Sequence, residues 1–481
     1  MRNSQVAAGV AAALAMAGAG AAMAAPPTAA QAAAAGIKIY MSGSSAAAQS
    51  VVTFLESSSF CGATNWVEWD SDATAVNFPD FRVVACTAAA GPFAGSLVTV
   101  WYRPEGGNVM GALPQINNAP LAQLDLVAFK AGYLVNGGFD CPQNAAQANV
   151  KLTCNVGNGF PIGTSTVNGP SDSWPSGVIS HTSDIGITDV EPAAVANLAL
   201  GTINSGAGGS QNDPINYNGT QIYSFLGQDR SVDDLTDAAL LPQAQIFQQT
   251  FGFFVNNSLG ISDLPKEAIA AIYAGTAKDW GKINKSNGLG AVAAAGTTVI
   301  VCNREVGSGT RAQADLYLTE DGCNTVGTFN ALQDFSGVTG QPANNFATLN
   351  ELDCVNTHPN SIGYAAVDNS TKIPGTFANI TMLSVNGVPA TNLNAALGLY
   401  TDTFEAFITE NPHASANGKV AYAAFKTALQ SITTTSQSIA VNAVPNLVAA
   451  NTVTYPPTKN GKDYVSNFTR SGNSCTPLTK N

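Results

Sequence analysis

The chain has 481 residues, 45% hydrophobic and only 11% charged, with 20 Lys+Arg against 32 Asp+Glu and a formal net charge of −12. At about 100–200 residues per domain this allows two to four domains and a core that needs no metal or partner to be stable. The low charge argues against disorder, the acidic balance excludes a nucleic-acid binder, which needs a basic face, and the 46 Gly exclude a helical bundle or coiled coil.

Met1-Arg2-Asn3, an Ala-rich run to Ala25 and the triplet Ala22-Met23-Ala24 predict a cleavable export signal over residues 1–24. An Ala-rich buried helix is the alternative. No Cys stands at the cleavage site to carry a lipid, and no later stretch has about 18 uninterrupted apolar residues. The expected destination is therefore periplasmic or secreted, and the chain is not expected to span a membrane. All eight Cys follow the signal, and an even number in an exported chain reads as up to four disulfides. Closeness pairs Cys61 with Cys86 and Cys141 with Cys154, while Cys302, Cys323, Cys354 and Cys475 stay unassigned. With no CxxC and with His181, His358 and His413 scattered, neither metal nor other cofactor is expected.

Residues 36–41 read as a strand that ends in the turn Ser42-Gly43-Ser44-Ser45, with a helix from Ala46 to Leu55. Residues 81–86 and 96–102 are further strands. Residues 137–180, rich in Gly, Asn, Ser and Pro, read as a stapled surface excursion, and 201–220 as another loop. Between them, Ser183 to Asp189 is a short buried strand with polar ends. Ile246 to Asn256 is a long apolar extended run. Ser262 to Glu267 predicts a helix opening, with capping side chains, a Pro in the first turn and an acid at the positive end, continuing to Ala274 and stopping at Gly275. Thr297 to Cys302 is a buried strand, and a helix is expected from Ser308 or Gly309 through Leu318. Strands alternating with helices predict α/β layers with largely parallel pairing. No internal repeat is present.

The sharpest chemical signal is Arg304-Glu305-Val306-Gly307-Ser308-Gly309-Thr310, which follows an apolar strand and opens a helix. A helix start offers unpaired N–H groups and the positive end of the dipole, so it suits an anion. Gly309 permits close approach of the backbone, Ser308 and Thr310 add hydroxyl donors, and Arg304 adds a charged bidentate contact. Ser308 could equally be a plain helix cap. Ser44-Ser45-Ala46 repeats the strand-to-helix form, and Asp189 places a carboxylate at a strand end, where it could also cap the segment after it. Together these residues describe a desolvated oxyanion pocket. No Walker loop or GxSxG elbow is present.

In their order along the chain these motifs resemble periplasmic phosphate-binding proteins of the Pst ABC-transporter type. Ser-Gly-Ser-Ser is similar to that family's first binding loop, and IGITDVEP to its Asp-bearing strand end. FGFFVNNSLGISDLPKEAIAAIYAGTAKDWGKIN is similar to its hinge strand and following helix, RxxxSGT is matched in full, and Ser361-Ile362-Gly363-Tyr364 resembles its return crossover. The resemblance implies a two-lobed type II periplasmic binding protein fold, α/β, with mixed, mostly parallel sheets flanked by helices and long loop insertions. It divides the chain into lobe one, residues 36–250 plus 365–481 with an inserted loop region 112–180, and lobe two, residues 251–364.

Carried over residue by residue, Ser44, Ser45 and the Ala46 backbone would hold the anion from lobe one, and Arg304, Ser308, Gly309 and Thr310 from lobe two. Asp189 would accept a hydrogen bond from it. The family's second lobe-one contact, usually a Ser, falls at Gly107 or Asn108, so an amide or bare backbone stands where a hydroxyl is common. The implied ligand is inorganic phosphate or another tetrahedral oxyanion, and the implied partner an ABC permease. Two other readings compete: a secreted or surface protein that reuses the fold for adhesion or scaffolding, and a secreted phosphatase-like relative. The phosphatase reading lacks a His/Asp metal cluster and a general base beside Ser308 or Thr310. Trp280 and Tyr364 read as packing residues.

Overall fold

A computed structural model describes residues 26–57, 59–62, 65–71, 81–104, 108–116, 118, 120–127, 139–143, 148–156, 178–192, 215–217, 220–222, 241–304, 308–319, 335, 338–342, 344–345, 348–373, 375–430 and 468–480. The expected export signal lies outside these residues, as does most of the expected loop 201–220, although 215–217 and 220–222 pair as two short antiparallel strands.

Twelve strands join one mixed sheet. In chain order they are β1 (Ile37–Ser42), β2 (Trp66–Ser71), β3 (Arg82–Thr87), β4 (Leu97–Arg103), β5 (Phe139–Asp140), β6 (Val150–Val156), β7 (Ile185–Thr188), β8 (Gln243–Asn256), β9 (Ile300–Val301), β10 (Ser361–Ala366), β11 (Ile380–Met382) and β12 (Thr403–Glu410). The spatial order is β9-β10-β8-β12-β7-β1-β4-β3-β2-β6-β5, with β11 also on β8. The helices that matter to the site are α1 (Ala48–Glu56), α2 (Lys266–Tyr273), α3 (Gly309–Thr319), α4 (Thr348–Thr357) and α5 (Ala416–Gln430).

The mixed α/β class is as expected, but antiparallel pairing takes a larger share. Parallel pairs are β1 with β4, β1 with β7, β2 with β6 and β9 with β10. Part of the cause is β8, which runs antiparallel to β12 with its first half and to β10 and β11 with its second; β3 is likewise antiparallel to both β2 and β4. Its side chains divide accordingly. Ile246 and Phe247 pack with β1, β4, α1 and α5, whereas Phe251, Phe253 and Val255 pack with α2, Trp280, α3 and Tyr364. One strand thus belongs to two cores.

Period-2 alternation explains the first core. On β4, Val98, Val100 and Tyr102 face α1 and α5, while Trp101 faces a second layer with Tyr40, Trp69 and Val83. The segment expected as a surface excursion contributes more than a loop. Val150–Val156 pairs with β2, its alternating apolar residues setting a half-buried Leu152 and a buried Cys154 in the layer of Trp69, and Pro120–Leu124 pairs with Val178–Thr182. Three disulfides hold the described chain: Cys61–Cys86 and Cys141–Cys154, both as expected, and Cys302–Cys354. Cys475 is also disulfide-bonded.

Two local expectations are corrected. The helix after Ser262 begins only at Lys266, with Pro265 at its cap; Asp263 instead accepts from Gly387 N at 2.8 Å. The strand expected over 297–302 pairs only at Ile300–Val301. Gly275, at φ 70, ends α2 as expected. Leu383, Val385, Ala390 and Tyr400 belong to the core of α2 and α3, so the chain stays with that core until β12. No helix among the described residues is long and apolar enough to cross a membrane.

Candidate functional site

The first arm of the site grows from the end of β1. Gly43 has φ 92, and a Cβ there would lie 2.4 Å from the Gly111 backbone, so only glycine fits. Ser44 then takes φ 58, a left-handed conformation worth about 1 kcal/mol or more of strain. Its hydroxyl offsets that strain: Ser44 Oγ accepts from Ala47 N at 2.8 Å and donates to Asp189 Oδ1. Tyr102 Oη, 2.8 Å from Gly43 O, and Gln249 Nε2, 2.9 Å from Ala46 O, hold the loop carbonyls. Gln249 lies on β8, so the strand shared by the two cores touches the loop directly.

Asp189 follows β7 and is 1% exposed. Gly186, three residues earlier, packs so tightly on Gly111 that a Cβ would sit 1.9 Å from Gly111 O. Gly43, Gly111 and Gly186 therefore mesh backbone to backbone beneath Ser44 and Asp189. The second Asp189 oxygen, Oδ2, lies 3.5 Å from Thr310 Oγ1. The carboxylate thus collects hydroxyls from both arms.

The second arm begins at Arg304, which is fully buried. Its backbone N donates to Asn303 Oδ1 at 3.0 Å and faces Tyr364 Oη at 3.2 Å, and Tyr364 Oη itself donates to Asn303. The guanidinium donates through Nε to Asn345 O at 3.2 Å, through Nη1 to Thr348 Oγ1 at 3.0 Å and through Nη2 to Ser45 Oγ at 3.5 Å. Ser45 Oγ also lies 3.1 Å from Thr348 Oγ1. Ser308 Oγ accepts from Arg311 N at 3.3 Å, capping α3, whose first residues Gly309 and Thr310 are buried. Arg311 Nη1 returns to Arg304 O at 3.0 Å.

Charge around Arg304 is set by burial. Glu351 accepts from Tyr364 N at 2.8 Å, and burial pushes its carboxyl well above the usual range although Arg304 and Arg311 oppose this. Burial likewise pushes Asp315 up to about 7, against the pull of Arg311. Asp189 is the carboxylate in contact with the hydroxyls.

Of the sequence-predicted residues, Ser44, Ser45, Ala46, Asp189, Arg304, Ser308, Gly309 and Thr310 come together here, although Ser45 and Arg304 are 259 residues apart. Gly107 lies outside the described residues. Asn108 opens the short turn Asn108–Gly111, but its side chain is not among those described. Before that turn, the Arg103 guanidinium covers the Phe81 ring at 5.3 Å and its carbonyl accepts from Gly43 N at 2.9 Å. Trp280 is a packing residue as expected, but Tyr364 does more, because its hydroxyl orders Asn303 and the Arg304 backbone. Thr348, Asn345 and Asn303 were missed. Thr348-Leu349-Asn350-Glu351 has the T-x-x-E form of a helix start, a signal that marks the element without revealing its contact with Arg304.

Cys302, Cys354 and His358 bring possible metal ligands within 4.8 Å of one another. The two sulfurs are joined in a disulfide, and His358 Nδ1 faces Cys354 O at 2.9 Å, so the cluster is not a metal site. The site as a whole offers many donors, the Arg304 and Arg311 guanidinium groups and the Asp189 carboxylate in a buried setting. It can take up a small, protonated oxyanion.

Residues 245–459 match the model of the PBP superfamily domain, a span that includes Arg304, α3, α4 and β12. No curated protein matches the chain. Among solved structures it is similar to a chain with bound phosphate from Clostridium perfringens, assigned to the phosphate ABC transporter substrate-binding proteins, at 14% identity and TM-score 0.40, covering 85% of this chain and 99% of that one. It is also similar to PstS from Borrelia burgdorferi, at 17% identity and TM-score 0.28 over 44% of this chain and 73% of that one.

Proposed function

We propose that the chain is an exported solute-binding protein that closes its two lobes on inorganic phosphate and delivers it to an ABC-type permease. The observation that supports this is the meeting of one buried cation, Arg304, and one buried carboxylate, Asp189, with the hydroxyls of Ser45, Ser308 and Thr310. The donors suit any tetrahedral oxyanion; the carboxylate selects among them. Inorganic phosphate keeps a proton near neutral pH and can donate to Asp189, whereas sulfate has none to give and would leave a buried carboxylate facing its oxygen. That mismatch costs several kcal/mol by the rule for unpaired buried groups. The formal charge of −12 does not prevent binding, because surface charge is screened while the buried donors are not.

The test is calorimetric titration of ligand-stripped protein with phosphate and with sulfate near pH 7.5. One-to-one binding of phosphate without sulfate is expected. Arg304→Ala should lose about a hundredfold or more in affinity, and Asp189→Asn should begin to accept sulfate. Unchanged affinity in Arg304→Ala would remove the reading.

A further inference from the structure

We infer that Thr348 is a positioning residue of the anion site, holding the Arg304 guanidinium and directing the Ser45 proton toward the ligand. The inference rests on the phosphate reading above and extends it to a residue outside the RxxxSGT motif.

Thr348 opens α4 and is 3% exposed. Its Oγ1 accepts from Arg304 Nη1 at 3.0 Å and lies 3.1 Å from Ser45 Oγ. Because the hydroxyl already accepts a proton from a guanidinium, its own proton is best given to Ser45 Oγ. Ser45 Oγ also receives from Arg304 Nη2 at 3.5 Å. With its lone pairs used in this way, Ser45 has only a proton left to offer, and an anion oxygen is its natural acceptor. Arg304, Thr348 and Ser45 thus form a closed ring in which the Ser45 proton is the one left for the ligand.

The same contact restrains the guanidinium. Arg side chains are rich in rotamers, and each one ordered on binding weakens the complex. Here Asn345 O holds Nε at 3.2 Å and Thr348 holds Nη1, so two edges of the planar fork are set by α4 and the bridge before it. A Val at 348 keeps the shape but removes both the acceptor and the donor. Arg304 would then swing, and Ser45 could turn its proton elsewhere.

The experiment compares phosphate affinity of the full chain, disulfides intact, as wild type, Thr348→Val and Thr348→Ser, by calorimetry well below each melting temperature. Thr348→Val is expected to bind about tenfold more weakly, and Thr348→Ser, which keeps the hydroxyl, within about twofold of wild type. A purely structural role would lower the melting temperature of Thr348→Val without changing its affinity when folded. Should Thr348→Val not fold, Thr348→Ala deletes the same hydroxyl and carries the same expectation. A wild-type affinity in the Val or Ala variant, or a Ser variant as weak as Val, overturns the inference while phosphate binding by wild type stands. A wild type that takes no phosphate ends both this inference and the reading beneath it.

Discussion

The two strand-to-helix starts that build the site share a formula, a strand, a Gly/Ser turn and a helix, yet they are held by different physics. Beneath Ser44 the backbone is locked by three glycines in contact, Gly43, Gly111 and Gly186, and the serine itself sits at φ 58. At Ser308 the described contacts are of another kind. Side chains do the holding: Ser308 caps α3, Arg311 reaches back to Arg304 O, and Tyr364, Asn303, Asn345 and Thr348 order Arg304. Backbone meshing fixes position but tolerates no added atom. A side-chain network can lose one member and keep its shape.

Substitution at Gly111 should break the first arm most severely. A Cβ at Gly111 would lie 2.1 Å from Ile187 O and 2.7 Å from Thr188 Cγ2, immediately before Asp189. Neither backbone can withdraw without shifting Gly43 or Asp189. Gly111→Ala is expected to lose about 3 kcal/mol of stability or more, read as a lower midpoint in urea, and the folded remainder should bind phosphate poorly. A variant as stable as wild type would mean that the mesh is loose and that Ser44 is held by hydrogen bonds alone.

Each arm also carries a carboxyl whose titration is displaced by burial. Asp315 on α3 is pushed up to about 7 from an ordinary value of 3.8, and Glu56 at the end of α1 up to about 8 from 4.5, in both cases chiefly by burial. A folded-state value above the unfolded one means that the folded chain holds the proton more tightly. The stability is therefore complete below the unfolded values and is lost as pH rises through about 7 to 8, at about 1.4 kcal/mol for each pH unit between the two states, less for the part-exposed Glu56. Melting temperature should fall from pH 5 to pH 8.5, and Asp315→Asn should flatten part of that fall. A profile that rises over this range would show that these carboxyls are ionised in the fold.

The two arms were unequally legible in the sequence. Arg304, Ser308, Gly309 and Thr310 stand within seven residues, so one motif carried most of the second arm. The first arm depends on Gly111 and Gly186, which no local pattern connects to Gly43, since their contact exists only once β7 and the turn Asn108–Gly111 lie beside β1. Thr348 was hidden for a related reason: T-x-x-E is a helix signal wherever it occurs, and only the fold brings it to Arg304. The division of β8 between two cores was equally out of reach, because an apolar run of this length looks alike on both sides of Gln249. The extra strand Val150–Val156 was masked by the Gly- and Asn-rich composition around it.

The mildest test contrasts with the glycine mesh. Ser308→Ala removes a cap whose hydroxyl accepts from Arg311 N at 3.3 Å, and a lost cap costs about 1 kcal/mol. Arg311 retains its bond to Arg304 O, and α3 stays packed through Ala312, Ala314 and Leu316. The arm should therefore keep its shape, with phosphate affinity lowered about tenfold by the lost donor and little more. If Ser308→Ala instead proved as damaging as Gly111→Ala, the side-chain network would be as brittle as the backbone mesh, and the difference between the two arms would lie in sequence alone.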